Sequence, residues 1–386
     1  MSKIKEDVFR TNYWSDKKVL VTGASGFKGS WLCEILLRLG AEVYGSTRKV
    51  HNPFSSFNLL QLENRISQVD VDISDRQQVY DVINSIAPDV IFHLAAKAQV
   101  PVSLRDPRRT FEVNIMGTLN ILEACRELGL GKKISILIVS TDHVFGATED
   151  GQLPEGGYNE SSRVSYGGPY DTSKSAMELC VRSYHSTYRD ELPNIGITRA
   201  ANVFGLGDVA FRRVIPVFIK SAIEKGIVPL TCRKNGRQFI HVEDIIEGYI
   251  RAASILKQEN LKKDKSPFTP TFHFAIQDYA KGENFIRIEE LANIVGQHFN
   301  ATVKELDGCV DFAPQENPVQ ALNCDLTFKK LDWKPKISLP DGIANLKTWY
   351  TTQNELRSED EVRKFLQITI QNEARKVANA MVNNFH

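Results

Sequence analysis

No run of the 386-residue chain is apolar over the ~20 residues that a bilayer-crossing helix requires, which excludes a helical membrane protein. Met1 to Trp14 are polar and of mixed charge, without the apolar core of a signal peptide. Cysteine is scarce and scattered. Cys33, Cys125, Cys180, Cys232, Cys309 and Cys324 form no CxxC pair, which excludes a disulfide framework and a structural zinc site and points to the reducing cytoplasm. The eight histidines show no HxxxH spacing with an acid, so no metal is expected. A charge excess is also missing: 48 Lys plus Arg against 47 Asp plus Glu leave +1, and no global field draws the chain to nucleic acid or an anionic membrane. There is no internal repeat or low-complexity tract. What remains is ordinary globular composition, long enough for one large domain or two coupled ones.

The first half alternates strand-like and helix-like segments. Lys18–Thr22, Glu42–Ser46, Ile66–Val71, Asp89–Leu94, Ile134–Ser140 and Ile195–Ala200 read as strands. Phe27–Leu39, Arg76–Ile86, Arg108–Leu128 and Tyr170–Tyr188 read as helices. This alternation predicts an α/β fold, a doubly wound parallel sheet of the Rossmann kind with helices on both faces. The second half is less regular, with helices at Arg212–Lys225, Val242–Leu256, Ile288–Phe299 and Asp341–Tyr350 and a surface loop at Lys262–Pro270. The expected division is a dinucleotide-binding domain over 14–200, to which the chain returns around 237–256. A smaller mixed α/β substrate-binding part covers 201–350, and a helical extension covers 351–386.

Gly23-Ala24-Ser25-Gly26-Phe27-Lys28-Gly29 follows a strand and opens a helix. The glycines permit a tight turn, close approach of a pyrophosphate and close helix–strand packing, and the helix N-terminus offers N–H donors. A strand binding NAD usually ends in an acid that holds the ribose 2′-hydroxyl. Here Ser46-Thr47-Arg48-Lys49 stands instead, and Arg48 is available to a 2′-phosphate or is one of a solvated pair. Asp72-Ile73, after the third strand, face the adenine or only cap a loop. Tyr170 and Lys174 lie four apart on one helix face, where an ammonium would lower the phenol's pKa and make it a base toward a sugar hydroxyl. Thr141, at the end of a strand, could hydrogen-bond the reacting oxygen.

These elements, with His93-Leu94-Ala95-Ala96 and Asn114 in Asn-Ile-Met-Gly-Thr, resemble the extended short-chain dehydrogenase/reductase family. Within it the chain is most similar to nucleotide-sugar 4,6-dehydratases, the CDP-glucose 4,6-dehydratases above all. That likeness rests on Trp14-Ser15-Asp16-Lys17-Lys18-Val19 leading into Gly26-Phe27-Lys28-Gly29-Ser30-Trp31-Leu32, on Arg199 to Gly205 with Gly207-Asp208, on Arg213 to Pro216, and on Arg237 to Val242.

The resemblance implies a recycled NAD or NADP, a nucleoside-diphosphate sugar substrate and a homodimer paired through the helices at Arg108–Leu128 and Tyr170–Tyr188. It makes Tyr170 the base on the C4 hydroxyl, Lys174 its tuner on the nicotinamide ribose, and Thr141 the partner of the C4 oxygen. Arg237 would meet the diphosphate, Asn202 the diphosphate or the sugar, and Leu94, Ala95, Ala96, Lys97 and Asn114 the cofactor side; Arg213 reads by itself as a solvated helix start or as a further phosphate contact. His241 beside Arg237 could touch substrate or be structural; His93 reads as a packed histidine. Asp142 matches the family's general acid. His143 replaces the family's Glu or Lys, and a neutral imidazole there could remove the C5 proton near neutral pH. The rival readings are a 4-epimerase or 4-keto-sugar reductase, and a cofactor-binding protein without chemistry.

Overall fold

The computed structural model describes residues 13–48, 50, 52–146, 153–210, 213–231, 233–257, 269–277, 284–306, 318–355 and 358–383. Six parallel strands come from the first half: β1 (Lys18–Thr22), β2 (Glu42–Ser46), β3 (Ser67–Val69), β4 (Val90–His93), β5 (Ser135–Val139) and β6 (Asn194–Ala200). Between them run α1 (Phe27–Arg38), α2 (Arg76–Ile86), α3 (Gly117–Glu127) and α4 (Pro169–Thr187). The later chain adds β7 (Asn202–Phe204), α5 (Val214–Lys225), β8 (Ile227–Leu230), β9 (Gly236–Arg237), β10 (Phe239–His241), α6 (Val242–Ile255), β11 (Thr271–Phe274), β12 (Ile286–Arg287), α7 (Ile288–Phe299), β13 (Thr302–Glu305), α8 (Leu339–Glu355) and α9 (Glu359–Asn383).

The main sheet has the order β11-β6-β5-β4-β1-β2-β3. Its central strands β1, β4 and β5 are largely apolar and buried on both faces, as in a sheet covered on both sides. Val19 and Val21 join the core shared with α1 and α6, whereas Leu20 between them joins the core shared with α2, α3 and α4. The order reverses between β1 and β4, where both strands end beside the glycine turn; such a switch point leaves a crevice for a ligand.

Sequence reading and structure differ in a few places. Helix Arg108–Leu128 is interrupted: a short helix over Pro107–Phe111 and α3 are joined by a π-turn over Glu112–Met116 that carries Asn114. Such a bulge often sits at a functional site. The strand at 271–274 also returns to the main sheet, pairing with β6. Arg212, Lys49, Cys232, Cys309 and most of the Lys262–Pro270 loop lie outside the described residues.

Away from the main sheet, the described strands pair β7 with β10, β9 with β12 and β8 with β13. The terminal helix α9 buries Val362, Leu366, Ile370, Ala374, Val377, Ala378 and Met381, a stripe at helical spacing, and lies against α1 and α6.

Candidate active site

The glycine turn is built by backbone. Gly23 has φ +72°, and a Cβ there would stand 2.9 Å from the Ala95 nitrogen. At Gly29 a Cβ would stand 2.2 Å from the Gly23 carbonyl oxygen, a clash no side chain survives. Ser46 fixes the turn from the neighbouring strand: its Oγ accepts from Gly23 N–H at 3.0 Å and its carbonyl from Ala24 N–H at 3.0 Å. Arg48 is exposed, and its N–H donates to Ser25 Oγ at 3.1 Å. Helix α1 starts at Gly26 with no side-chain cap and no acid in its first turn. Its leading N–H groups therefore have no intrahelical acceptor. A bare helix N-terminus against a glycine cradle fits a dinucleotide pyrophosphate.

Across β1, His93 is sealed between hydroxyls. Its Nδ1 is 2.8 Å from Thr22 Oγ1 and its Nε2 3.0 Å from Thr118 Oγ1, and burial lowers its pKa to about 3. It is a packed neutral histidine. Asn114 clamps the loop after β4: its Oδ1 accepts from Lys97 N–H at 2.8 Å, and its amide donates to Ser173 Oγ at 2.8 Å and to the Lys97 carbonyl at 3.2 Å. The segment Leu94 to Lys97 is thus pinned to α4. Asp72 is ion-paired with Arg109 and accepts from Ser74, so its carboxyl is engaged in its own loop, while Ile73 is buried against Gly117.

Thr141, Asp142 and His143 follow β5 and face the first turns of α4. The Thr141 hydroxyl donates to Asp142 Oδ1 at 3.0 Å and is hydrogen-bonded to the Tyr170 hydroxyl, so three buried groups form a row. Burial raises the Asp142 pKa, which favours the protonated acid. Lys174 Nζ donates to the Val139 carbonyl at 2.8 Å, and burial lowers its pKa to about 8. This corrects one expectation. Burial, followed by the charges of Asp142 and Asp171, pushes the Tyr170 phenol up, outweighing the hydrogen bond with Thr141. Lys174, committed to a carbonyl, does not bring it down in this state. Lys28 is close by, its Nζ 3.3 Å from the Tyr249 hydroxyl; burial and the charges of Arg213 and Lys174 lower its pKa to about 7.

The later chain brings Arg213 and Arg237 to the same place. Arg213 is held by Asp208 at 2.8 Å, stacks over the Phe27 ring at 5.8 Å, and its charge reaches Tyr170. Arg237 donates to the carbonyls of Gly236 and Pro318 at 2.8 and 2.9 Å, and its charge reaches Asp142. Asn202 stands at the mouth of β7, its amide 3.4 Å from the Gln238 carbonyl. His241 is a second correction. Its ring is fully buried against Phe204, its Nδ1 caps α6 by accepting from Glu243 N–H at 3.5 Å, and it offers no face to a substrate.

Two residues of the site carry no role in the sequence reading. Asp171 accepts from the His143 ring at 3.0 Å, and Asp208 positions Arg213. Asp171 lies inside the Tyr170–Lys174 motif, but its partner is 28 positions upstream, a distance that spacing does not reveal.

A family described as GDP-mannose 4,6 dehydratase matches residues 20–346. The chain belongs to it. A CDP-glucose 4,6-dehydratase of Salmonella typhimurium is 29% identical over 356 residues, covering 90% of this chain and 94% of that one. Among solved structures, DesIV, a dTDP-glucose 4,6-dehydratase from Streptomyces venezuelae with NAD bound, aligns with TM-score 0.69 at 24% identity over 88% of this chain and 98% of its own. The epimerase Mth375 of Methanothermobacter thermautotrophicus aligns with TM-score 0.71 at 24% identity over 92% and 97%. This GDP-mannose 4,6 dehydratase family member is therefore an enzyme of the extended short-chain dehydrogenase/reductase kind, with the fold shared by 4,6-dehydratases and epimerases. Among the described residues no helix is long and apolar enough to cross a membrane, and no His/Cys/Asp/Glu group could hold a metal.

Proposed function

We propose that this enzyme is an NAD(P)-dependent nucleotide-sugar 4,6-dehydratase, which converts an NDP-hexose to an NDP-4-keto-6-deoxyhexose and water. CDP-glucose is the favoured substrate, from the motif likeness and from the relative that bears that name. The observation that carries dehydration over epimerisation is the Tyr170–Thr141–Asp142 row with its acid buried and pushed toward the protonated form. An epimerase returns hydride to C4 and needs no acid beyond the tyrosine that gives its proton back to the C4 oxygen; a dehydratase must in addition protonate a leaving hydroxyl.

Gly23, Ser25, Gly26, Phe27, Lys28 and Gly29 would hold the pyrophosphate, and Lys174 the nicotinamide ribose. NADP is favoured, because Ser46 rather than an acid ends β2 and Arg48 stands exposed beside the glycine turn. When bound, an oxidised nicotinamide would supply the hydride acceptor for C4 and the hydride donor for C6, and its positive charge would lower the Tyr170 pKa.

The chain's own residues do the rest. Tyr170 takes the C4 hydroxyl proton while Thr141 orients the oxygen. His143 takes the C5 proton, made acidic by the C4 ketone. The electron pair forms the C5=C6 bond as the C6 hydroxyl leaves with the proton of Asp142, as water. His143 returns its proton to C5 when hydride reaches C6. Tyr170 has then gained one proton and Asp142 lost one, and the shared Thr141 hydroxyl offers the path that resets both. Arg213, Arg237 and Asn202 would carry the diphosphate and sugar, by charge-assisted hydrogen bonds in the case of the arginines.

The test is incubation of the protein with CDP-glucose, GDP-mannose, dTDP-glucose and UDP-glucose separately, without reductant. Mass spectrometry should show loss of one water from one of them. Unchanged mass with inverted stereochemistry would replace dehydration by epimerisation.

The dimer is proposed on Met116 and Leu179, 48% and 56% exposed, which stand on the two helical segments expected to pair. Large apolar side chains exposed on such helices suit an interface. Leu179→Glu should shift sedimentation from dimer to monomer.

A further inference from the structure

We propose that Asp171 is a positioning residue for His143, its carboxylate holding the imidazole in the tautomer whose lone pair lies on Nε2. The proposal rests on the dehydratase reading for the task of that lone pair, removal of the C5 proton, but the contact itself is geometric. His143 Nδ1 lies 3.0 Å from Asp171 Oδ1, with the two side chains 16% and 9% exposed. A carboxylate in that place accepts a hydrogen bond, so Nδ1 carries the proton.

Three further contacts fix the pair. Asp171 Oδ2 accepts from Gly168 N–H at 3.3 Å, which anchors the carboxylate to the first turn of α4. The His143 N–H donates to Thr141 Oγ1 at 3.3 Å. The His143 ring stands edge-on to the Tyr170 ring, centroids 5.9 Å apart at 67°. The base for C5 and the base for the C4 hydroxyl therefore sit side by side, and Asp171, next to Tyr170 in the chain, ties their spacing to one helix.

The proton balance explains why an anion belongs there. When Nε2 takes the C5 proton, the ring becomes an imidazolium with a proton on each nitrogen. The Asp171 carboxylate, 3.0 Å from Nδ1, faces that cation and stabilises it. When C5 is reprotonated the ring is neutral again. The logic is that of the carboxylate behind the histidine of a Ser-His-Asp triad.

Asp171→Asn is the decisive variant. Its Oδ1 can still cap Gly168 N–H, but its amide donates to Nδ1 and so forces the proton onto Nε2. Nitrogen-15 NMR of the imidazoles should show an Nδ1–H tautomer for His143 in the wild type and an Nε2–H tautomer in D171N, independent of turnover. With the nucleotide sugar that the wild type dehydrates, D171N should still reduce bound cofactor, seen as near-ultraviolet absorbance, but release water about a hundredfold more slowly or worse. D171A, which merely frees the ring, should lose less. Unchanged thermal unfolding of D171N separates this from damage to α4. Wild-type rates of water release in D171N, or an Nε2–H tautomer in the wild type, would overturn the proposal. A wild type that dehydrates no nucleotide sugar would overturn the dehydratase reading instead, and the tautomer comparison would still decide the Asp171–His143 contact.

Discussion

The proposed cofactor half and the proposed substrate half of the crevice are built by different means. Around the glycine turn, position comes from backbone: seven strands in one sheet, missing Cβ atoms at Gly23 and Gly29, and a helix that begins without a cap. Around Arg213 and Arg237, position comes from side chains reaching across short strand pairs. Asp208 holds Arg213, and the Gln238 amide joins Asn284 and Leu322. A backbone-built site fails when anything is added, and a side-chain-built site fails when something is removed.

The largest effect should follow from adding to the first. Gly29→Val would drive carbon into the Gly23 carbonyl, now 2.2 Å from where a Cβ would lie. The turn would have to open, at a cost of several kcal/mol by analogy with overpacked cores. Nicotinamide-dinucleotide binding, followed by fluorescence or calorimetry, should be abolished. Gly29→Ala with near-normal binding would show that the turn is softer than the geometry implies.

A smaller loss should follow from removal in the second half. Gln238 is wholly buried, and its side chain donates to the carbonyls of Asn284 and Leu322 and accepts from Leu322 N–H at 2.6 Å. Gln238→Ala leaves those backbone groups without their partner and should cost about 3 kcal/mol in chemical denaturation. It should raise the KM for the nucleotide sugar while leaving cofactor affinity unchanged, because its side-chain partners, Asn284 and Leu322, belong to the later chain. Equal losses for both ligands would dissolve the distinction between the two halves.

The same distinction governs what can be read in sequence. The glycine spacing, the Tyr170–Lys174 pair and the βα alternation are local patterns, and the strands and helices of the first half lie within a few residues of where periodicity places them. Neighbouring positions decide those features. His143 and Asp171 meet through the join of a strand end and a helix start, which no local window contains. His241 misleads for the opposite reason: it follows Arg237 closely in the chain, yet β10 runs inward and buries it under Phe204. Strand β11, four residues preceded by a Lys/Pro-rich stretch, has too little pattern to announce that it extends the main sheet. The Tyr170 pKa was legible only in half. The charge beside it can be inferred from spacing, but the burial that dominates it depends on the closed crevice.

The terminal helix α9 offers the finest comparison, because it belongs to the later chain by sequence and reaches α1 of the first half by contact. It closes over α1 and α6, and there Glu243 is pushed up to about 8 by burial, with Glu373 and Asp244 adding to the shift and Lys376 opposing it. His241, neutral in its buried setting, stands on the other side. The folded-state pKa lies above the ordinary 4.5, so the folded protein binds more protons than the unfolded chain between those values. Stability from this group is complete below about 4.5 and is lost as pH rises toward about 8. Glu243→Gln, which cannot ionise, should leave the melting temperature near that of the wild type at the acid end and flatten its decline toward the alkaline end. The effect is a change of slope and the smallest of the three. Glu373→Gln should flatten the slope in part, since it removes one of the charges that raise Glu243. An unaltered slope in both variants would mean that α9 lies on the cofactor half through its apolar stripe alone, and that the terminal helix is attached as the first half is built, by packing, rather than as the second half is, by polar side chains.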